Sequence, residues 1–243
     1  MKAQPNLWMA VATMLLVQTV ACGSLPSPTP TPTPTPKPTP DPQMTLRRAV
    51  SQVLEMESAA FTLEHQVGST ILFPGLEMSK ASGVVDIPDK IRLRVEAQST
   101  IPRSFVEINV VTIGDQAWMT DFITGQWRQV PLEALPVNFS DLGRTLADII
   151  EAVRDPRLVE SQELEGRDTY RIEGRVNSED LAALVPGAGE GFEVVLMLWL
   201  DQDDGLLRRV LITGQVLPSD IPAAVRLLTL EDLNLPVDIT APE

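Results

Sequence analysis

Residues Phe192 to Leu200 read FEVVLMLWL, and Glu193 is the only charged residue among them. Successive side chains of a strand point to opposite faces of its sheet. Because both sets of alternate positions are mainly apolar here, this strand needs helices over one face and further apolar material over the other. The alternative is a central strand in a simply packed core. Gln202 to Gly205 form a turn signal before Leu206–Gln215, which predicts a long hairpin.

The same two-residue period extends towards the N-terminus. Ile91–Ala97 reads IRLRVEA, with its apolar side chains on one face. Turn signals at Pro88-Asp89-Lys90, Gly114-Asp115 and Glu165-Gly166-Arg167 separate further short segments of this kind. The remaining predicted strands are 61–67, 81–87, 106–110, 116–120, 126–130, 158–164, 169–176 and 226–234. Together they predict a meander of roughly ten antiparallel strands.

Three segments have a helical period instead: Thr45–Glu57, Ser140–Val153 and Ser178–Val185. Ser140 and Asn177 are the expected N-caps of the second and third helices. Roughly ten strands and only three helices predict a sheet that curls or leaves apolar surface uncovered. The helix at 140–153 is expected over the concave face, with these side chains turned inward: Leu146, Ile149, Ile150 and Val153.

Residues 1–21 have the layout of a bacterial secretory signal. Lys2 supplies the positive start, Leu7–Val17 is an uncharged apolar run too short to predict a membrane-spanning helix, and Ala21 precedes Cys22. Val20-Ala21-Cys22 resembles a lipobox, whose cysteine is acylated and becomes the mature N-terminus, although Thr19 stands where leucine is preferred. Acylation also accounts for the lone cysteine of the chain. The alternative is an ordinary cleaved signal with an incidental cysteine.

Residues 22–43 combine this cysteine with a threonine–proline ladder. Proline at every second position excludes helix and sheet, so the segment is expected to be a disordered, semi-rigid tether of about 3 Å per residue. Residues 44–243 remain for one domain. The chain carries a formal net charge of -14, which argues against nucleic acid and against electrostatic docking on anionic lipid.

No pattern in the sequence predicts catalysis, a metal or a cofactor. His65 is the only histidine, and no second cysteine accompanies Cys22 to hold a metal. Asp201 to Gly205 lacks the ligand pattern of a calcium loop, so we interpret it as a β-turn. The strand aromatics Trp118, Trp127 and Trp199 have two interpretations, as pocket lining or as ordinary packing.

The order of these elements resembles the LppX/LprAFG-type bacterial lipoproteins and, more distantly, the LolA/LolB-like carriers. The resemblance rests on the lipobox, the N-terminal helix, Gly114-Asp115 leading to Trp118, and Thr124 to Trp127. The helical insertion follows, and then Glu165 to Tyr170 and Trp199 to Arg209. It implies an α+β fold, in which helices cover the concave face of a strongly curved antiparallel half-barrel.

The resemblance also implies a function without catalytic residues. A membrane-anchored lipoprotein of this kind binds lipid or glycolipid acyl chains in an apolar cavity between sheet and helices, and carries or presents them in the cell envelope. It would sit at the outer face of the cytoplasmic membrane, with a membrane transporter as a candidate partner. The expected cavity-lining residues are Leu93, Val95, Val106, Ile108, Val110, Trp118, Ile149, Val153, Leu196 and Leu198.

Two alternative functions remain open. An envelope sensor or protein-interaction lipoprotein would use the same fold with a filled core and an exposed apolar patch. A hydrolase is disfavoured, because the sequence shows no nucleophile elbow, phosphate loop or metal-ligand spacing.

Acylation of Cys22 predicts a defined mature N-terminus. Intact-mass measurement of membrane-extracted protein should give a chain that begins at Cys22 and carries acyl mass. The variant Cys22→Ala should move the domain to the soluble fraction, because no other part of the sequence anchors it. A mature form that begins beyond Cys22 would contradict the prediction.

Overall fold

The computed structural model describes residues 39–135, 142–185 and 187–243. Over these ranges the chain forms twelve strands and two α-helices, in place of the roughly ten strands and three helices expected from the sequence. Cys22, the tether up to residue 38 and the expected cap Ser140 lie outside the described residues. None of the described helices has the length and apolar character needed to cross a membrane.

The strands form one antiparallel sheet. In chain order they are β1 (Ser58–Val67), β2 (Thr70–Phe73), β3 (Leu76–Asp86), β4 (Lys90–Thr100), β5 (Arg103–Ile113), β6 (Gln116–Thr120), β7 (Trp127–Val130), β8 (Arg154–Leu164), β9 (Arg167–Asn177), β10 (Glu193–Asp201), β11 (Leu207–Thr213) and β12 (Val225–Glu231). The hairpin turns expected at residues 88–90, 114–115, 165–167 and 202–205 are confirmed. The sequence did not predict β2, since four residues are too few to show a period.

Pairing between β1 and β12 organises the sheet. The spatial order is β7, β6, β5, β4, β3, β1, β12, β11, β10, β9, β8, and β2 pairs only with β3. Ala60 lies opposite Glu231 and His65 lies opposite Arg226, so β1 joins two meanders into one sheet. The sheet does not close, and β7 and β8 are its edges. The result is a strongly curved antiparallel half-barrel of the α+β class, as predicted.

Helix α1 (Pro42–Leu54) begins three residues before the predicted Thr45. Asp41 caps it, because its Oδ1 accepts a hydrogen bond from the N–H of Gln43 at 2.9 Å. Pro42 suits the first helical position, where its missing N–H costs nothing. The helix buries Leu46, Ala49, Val50 and Val53.

Helix α2 (Leu142–Glu151) buries the predicted stripe, and Val153 just beyond it is buried as well. These side chains pack in one cluster with α1 and with the inner face of β9 to β12. Gly174 of β9 makes the close approach possible, since a Cβ there would overlap the side chain of Val153. The expected helical cover of the sheet is therefore present.

The third predicted helix is shorter than expected. Ser178–Leu181 forms one turn of 3₁₀ helix, and the Asp180 carboxylate accepts the N–H of Asn177 at 2.8 Å. Ser178 is buried, and its hydroxyl donates to the carbonyl of Gly189 at 2.7 Å. This tie holds the segment in a tight turn, so the helix does not continue to Val185.

The inner face of the sheet carries two apolar clusters. The larger cluster lies under α1 and α2 and reaches across β9 to β12. The smaller cluster joins β3 to β6 with Leu135, which ends a 3₁₀ turn at Leu132–Ala134. Phe61 of β1 packs against both clusters. The strands in the middle of the sheet therefore connect the larger cluster with the smaller one.

We expect Ile150→Ala to lower the free energy of unfolding by about 2–5 kcal/mol, because Ile150 is buried between α2 and the sheet. Chemical denaturation monitored by circular dichroism measures the change. The neighbouring exposed residue supplies the control, since Glu151→Ala should stay within about 0.5 kcal/mol of the native chain. Equal effects of the two changes would contradict the packing of α2 described above.

Candidate functional site: an apolar cavity

A cavity of about 530 Å³ lies between the two clusters. Its floor is the inner face of β4, β3, β1, β12 and β11, and its other side includes Leu142 and Leu146 of α2 together with Leu181, Leu184, Val185 and Gly187. Ile71, Gly187, Pro218 and Ser219 belong to the wall and are also exposed. These residues define the mouth of the cavity.

The wall is almost entirely apolar. Its apolar members are Met56, Ala59, Phe61, Leu63, Ile71, Leu72, Met78, Ala81, Val85, Leu93, Val95, Leu142, Leu146, Leu181, Leu184, Val185, Ile212, Val216, Leu217, Pro218, Leu228 and Leu230. Thr70, Gly187, Ser219 and Arg226 complete it, and Arg226 is the one charged wall residue among those described. A space of this size and character suits a flexible apolar ligand.

The structure brings two of the predicted lining residues to this wall, Leu93 and Val95 of β4. Val106, Ile108 and Val110 of β5 lie outside it, in the smaller cluster with Leu135. Trp118 is also outside: it alternates with the buried Ala117 and therefore points to the opposite face of the sheet. The polypeptide around Leu132–Leu135 covers β5, which the sequence did not indicate.

The other four predicted residues belong to the larger cluster rather than to the wall. Ile149 and Val153 pack towards the sheet, whereas Leu142 and Leu146, four residues apart on α2, face the cavity. Leu196 and Leu198 of β10 lie on its inner face in the cluster that contains α1. The opposite face of β10 carries Trp199, whose Nε1 donates to Gln162 at 2.9 Å, so this tryptophan serves packing.

A polar cluster of His65, Thr70, Asp220 and Arg226 borders the cavity. Arg226 is 6 % exposed, and its Nη2 lies 2.6 Å from Asp220 Oδ2. Arg226 Nε donates to His65 Nε2 at 3.1 Å, and His65 Nδ1 lies 3.2 Å from the carbonyl of Ser79. This network assigns the neutral tautomer of His65, with the proton on Nδ1. The charges of Arg226 and Asp220 therefore neutralise each other beside the apolar wall.

The electrostatics of this cluster favour a neutral imidazole. Burial lowers the pKa of His65 below its usual value of 6.5, and the positive charge of Arg226 lowers it further. Asp220 Oδ2 also accepts the N–H groups of Val216 and Leu217, at 3.0 and 2.9 Å. The Asp220–Arg226 pair thus fixes the loop at the mouth to β12.

The sequence held a signal for this cluster that its analysis did not use. Phe61, Leu63 and His65 share the inner face of β1, and Arg226, Leu228 and Leu230 share that of β12. Each strand thus ends its apolar stripe with one basic residue, and the register places His65 and Arg226 directly opposite each other. The sequence alone did not show that β1 pairs with β12.

The turn at Asp201 has a structural role. Asp201 is buried, its Oδ1 accepts the N–H of Asp203 at 2.9 Å, and its Oδ2 lies 3.1 Å from Arg167 and 3.2 Å from Arg208. Burial raises the pKa of this carboxyl, but the N–H donors and the two arginines outweigh burial and lower the pKa overall. One carboxylate oxygen therefore stabilises the turn, and the other joins it to β9 and β11.

The lowered pKa of His65 predicts a pH-dependent stability. The unfolded chain binds a proton near pH 6.5 while the folded chain does not, so this stabilisation is complete above about pH 6.5 and is lost as the pH falls towards the folded pKa. Denaturant titrations between about pH 7.5 and 5.5 should show a steeper loss for the native chain than for His65→Gln. Parallel pH profiles of the two proteins would exclude the assignment.

Two solved protein structures have a similar architecture. The chain is similar in structure to LprF from Mycobacterium bovis, with a TM-score of 0.63 and 18 % identity over 84 % of this chain and 98 % of that one. It is also similar to the lipoprotein LppX from Mycobacterium tuberculosis, with a TM-score of 0.55 and 16 % identity over 81 % of this chain and 97 % of that one. No curated protein matches the chain.

The family model described as LppX_LprAFG lipoprotein matches residues 41–239. This range contains both helices, every described strand and the whole wall of the cavity. The chain belongs to the LppX_LprAFG lipoprotein family.

Proposed function

We propose that the chain is an envelope lipoprotein that binds the acyl chains of a lipid or glycolipid in its apolar cavity and carries or presents them. The cavity itself carries this proposal: about 530 Å³ with an apolar wall lies within the usual range of ligand pockets, ~300–1,000 Å³. A simply packed domain leaves no such space between its sheet and its helices.

The energetics of the wall favour hydrocarbon. Each methylene moved from water into an apolar site contributes about 0.8 kcal/mol, so ten methylenes contribute roughly 8 kcal/mol. That gain has to exceed the cost of immobilising the ligand, which is of order 4–15 kcal/mol. Arg226 is already paired with Asp220, so the wall offers no net charge to an ionised group. The interior of the cavity therefore favours an uncharged hydrocarbon chain as its ligand.

The proposal includes the cellular setting. Acylation of Cys22 would hold the chain at the outer face of the cytoplasmic membrane, and the tether of residues 22–43 would let the domain reach its lipid source. A membrane transporter is the candidate partner for delivery or release. This arrangement lets one protein receive and pass on lipid without leaving the membrane surface.

Filling the cavity should abolish binding. Val95→Phe adds volume to the wall on β4, so we expect the chain purified from a lipid-rich host to retain much less co-purified lipid than the native chain. Native mass spectrometry and analysis of the extracted lipid measure the difference. Val159→Phe is the matched control, because Val159 is exposed on the edge strand β8 and lies outside the wall.

The control should retain native amounts of lipid, and both variants should keep the circular dichroism spectrum of the native chain. Repeated recovery of the native chain without lipid would favour the alternative of a protein-interaction lipoprotein. Retention of lipid by Val95→Phe at the native level would move the binding site away from this cavity.

A further inference from the structure

Exposed apolar side chains gather at one end of the half-barrel. Eleven large apolar side chains are exposed among the described residues, and seven of them lie at or near the turns at this end. The seven are Val67, Ile71, Ile101, Phe105, Phe122, Ile123 and Ile221. We call this set the apolar tips. Ile101 is 90 % exposed and Ile123 is 81 % exposed, so neither side chain contributes to the core.

The hairpins have a different composition at their opposite end. There the turns contain Asp89 and Lys90, Asp115, Glu165, and Gln202 to Asp204. Polar turns are the ordinary choice for connections exposed to water. Because the same strands carry polar turns at one end and apolar tips at the other, the apolar tips are not a general property of this sheet.

Hydrogen bonds connect the turns that carry the apolar tips to their neighbouring strands. The N–H of Thr100 donates to the carbonyl of Gly75 at 2.9 Å, which joins the β2–β3 turn to the β4–β5 turn. The N–H of Asn109 donates to the Thr120 hydroxyl at 2.8 Å, which places the start of the β6–β7 turn beside β5. Neighbouring strands are about 4.8 Å apart. The β2–β3 and β4–β5 turns therefore lie side by side, and the β6–β7 turn is set back from them, beside the middle of β5.

The mouth of the cavity opens at the same end. Ile71 belongs both to the wall and to the apolar tips. Gly68, in the β1–β2 turn, packs against Ile221 in the β11–β12 loop, and the N–H of Gly189 donates to the carbonyl of Val216 at 2.8 Å. The loops that frame the mouth thus lie beside the β1–β2 turn, at the same end of the sheet as the apolar tips.

We propose that the apolar tips are a membrane-docking surface that seats the mouth of the cavity on the lipid bilayer. This inference rests on the proposed lipid-binding function. Aliphatic and aromatic side chains at the ends of turns gain apolar burial when they enter the interface of a bilayer. A chain with a formal net charge of -14 is not attracted to anionic lipid, so docking is by apolar insertion.

A bilayer fits this surface better than a protein partner does, because the apolar tips surround the opening of an apolar cavity. An acyl chain passes from the hydrocarbon of the bilayer into the wall at Ile71 and Leu72 without crossing water. A protein docked there would instead cover the opening. The geometry of the mouth therefore favours a lipid bilayer over a protein as the partner of this surface.

The first helix of the described residues lies away from the apolar tips. Helix α1 lies at the polar end, where Arg48 donates to the carbonyl of Gln202 at 3.0 Å and the N–H of Ile87 donates to the carbonyl of Glu57 at 2.8 Å. A strand of eleven residues spans about 36 Å. Helix α1 at the polar end therefore leaves the apolar tips free to meet a membrane.

The test measures the depth of single labels. Cys22 is the only cysteine, so the full chain with Cys22→Ala accepts one nitrobenzoxadiazole label at each introduced cysteine. Ile101→Cys and Ile123→Cys report on the apolar tips, and Val159→Cys and Leu235→Cys report on exposed apolar positions elsewhere. Each labelled chain is mixed with phosphatidylcholine vesicles, with and without nitroxide-bearing phosphatidylcholine.

Labels at positions 101 and 123 should shift to shorter emission wavelength and be quenched at least about twofold more strongly than the two control labels. The shift should persist at high salt and need no anionic lipid, since insertion is apolar. Equal quenching at the four positions overturns the proposal. Labels that stay in water at the vesicle surface also overturn it and assign the apolar tips to a protein partner.

A second measurement separates docking from binding. Pyrene-labelled phosphatidylcholine is offered to the unlabelled full chain either in vesicles or from ethanol. The double variant Ile101→Asp/Ile123→Asp should take it up from vesicles about tenfold more slowly than Val159→Asp, yet take it up from ethanol at the same level. Equal uptake from vesicles by the two variants overturns the docking surface. Failure of the native chain to take up lipid from either source overturns the proposed function, while the label depths decide the docking surface independently.

Discussion

The structure depends on a mismatch between the width of its sheet and the length of its helices. Eleven strands lie side by side, at about 4.8 Å each, so the sheet is roughly 50 Å wide before it curves. The two α-helices of the described residues have 13 and 10 residues, which gives them lengths of about 20 and 15 Å. They cannot cover the whole inner face. Apolar strand surface without a covering element lines a cavity.

The position of the cavity follows from which strands are covered by α2 and by residues 131–135. Gly174 lets the end of α2 settle closely on β9, and residues 131–135 cover β5 and its neighbours. The strands between these regions, from β4 to β11 across the sheet, keep their apolar faces, and Leu142, Leu146, Leu181, Leu184 and Val185 lie on the other side of the cavity. Collapse of this space would require β1 and β12 to move together, since the His65–Arg226 contact and the Asp220–Arg226 pair tie them to one loop. The paired strands β1 and β12 therefore keep the cavity open.

Local patterns in the sequence predicted most elements but not their long-range partners. The two-residue period located Ile91–Ala97 and with it Leu93 and Val95, which do line the cavity. It gave no information on which covering segment meets which strand, so the β5 residues were assigned to the cavity although Leu135 covers them. The apolar stripe of α2 is also broad enough to face both the cavity and the sheet, and the sequence did not show which of its residues face which. His65 and Arg226 are 161 residues apart, and no local rule brings such residues together.

The pairing of β1 with β12 also has a consequence for how the chain acquires its structure. Ala60 pairs with Glu231, so the central seam of the sheet forms only after all the intervening strands have been synthesised. Contacts of such large sequence separation slow folding, because most of the chain has to be ordered before they form. Until then β1 and β12 each present an unpaired edge that favours association with other chains. The pairing of β1 with β12 is thus the step of folding that removes both edges.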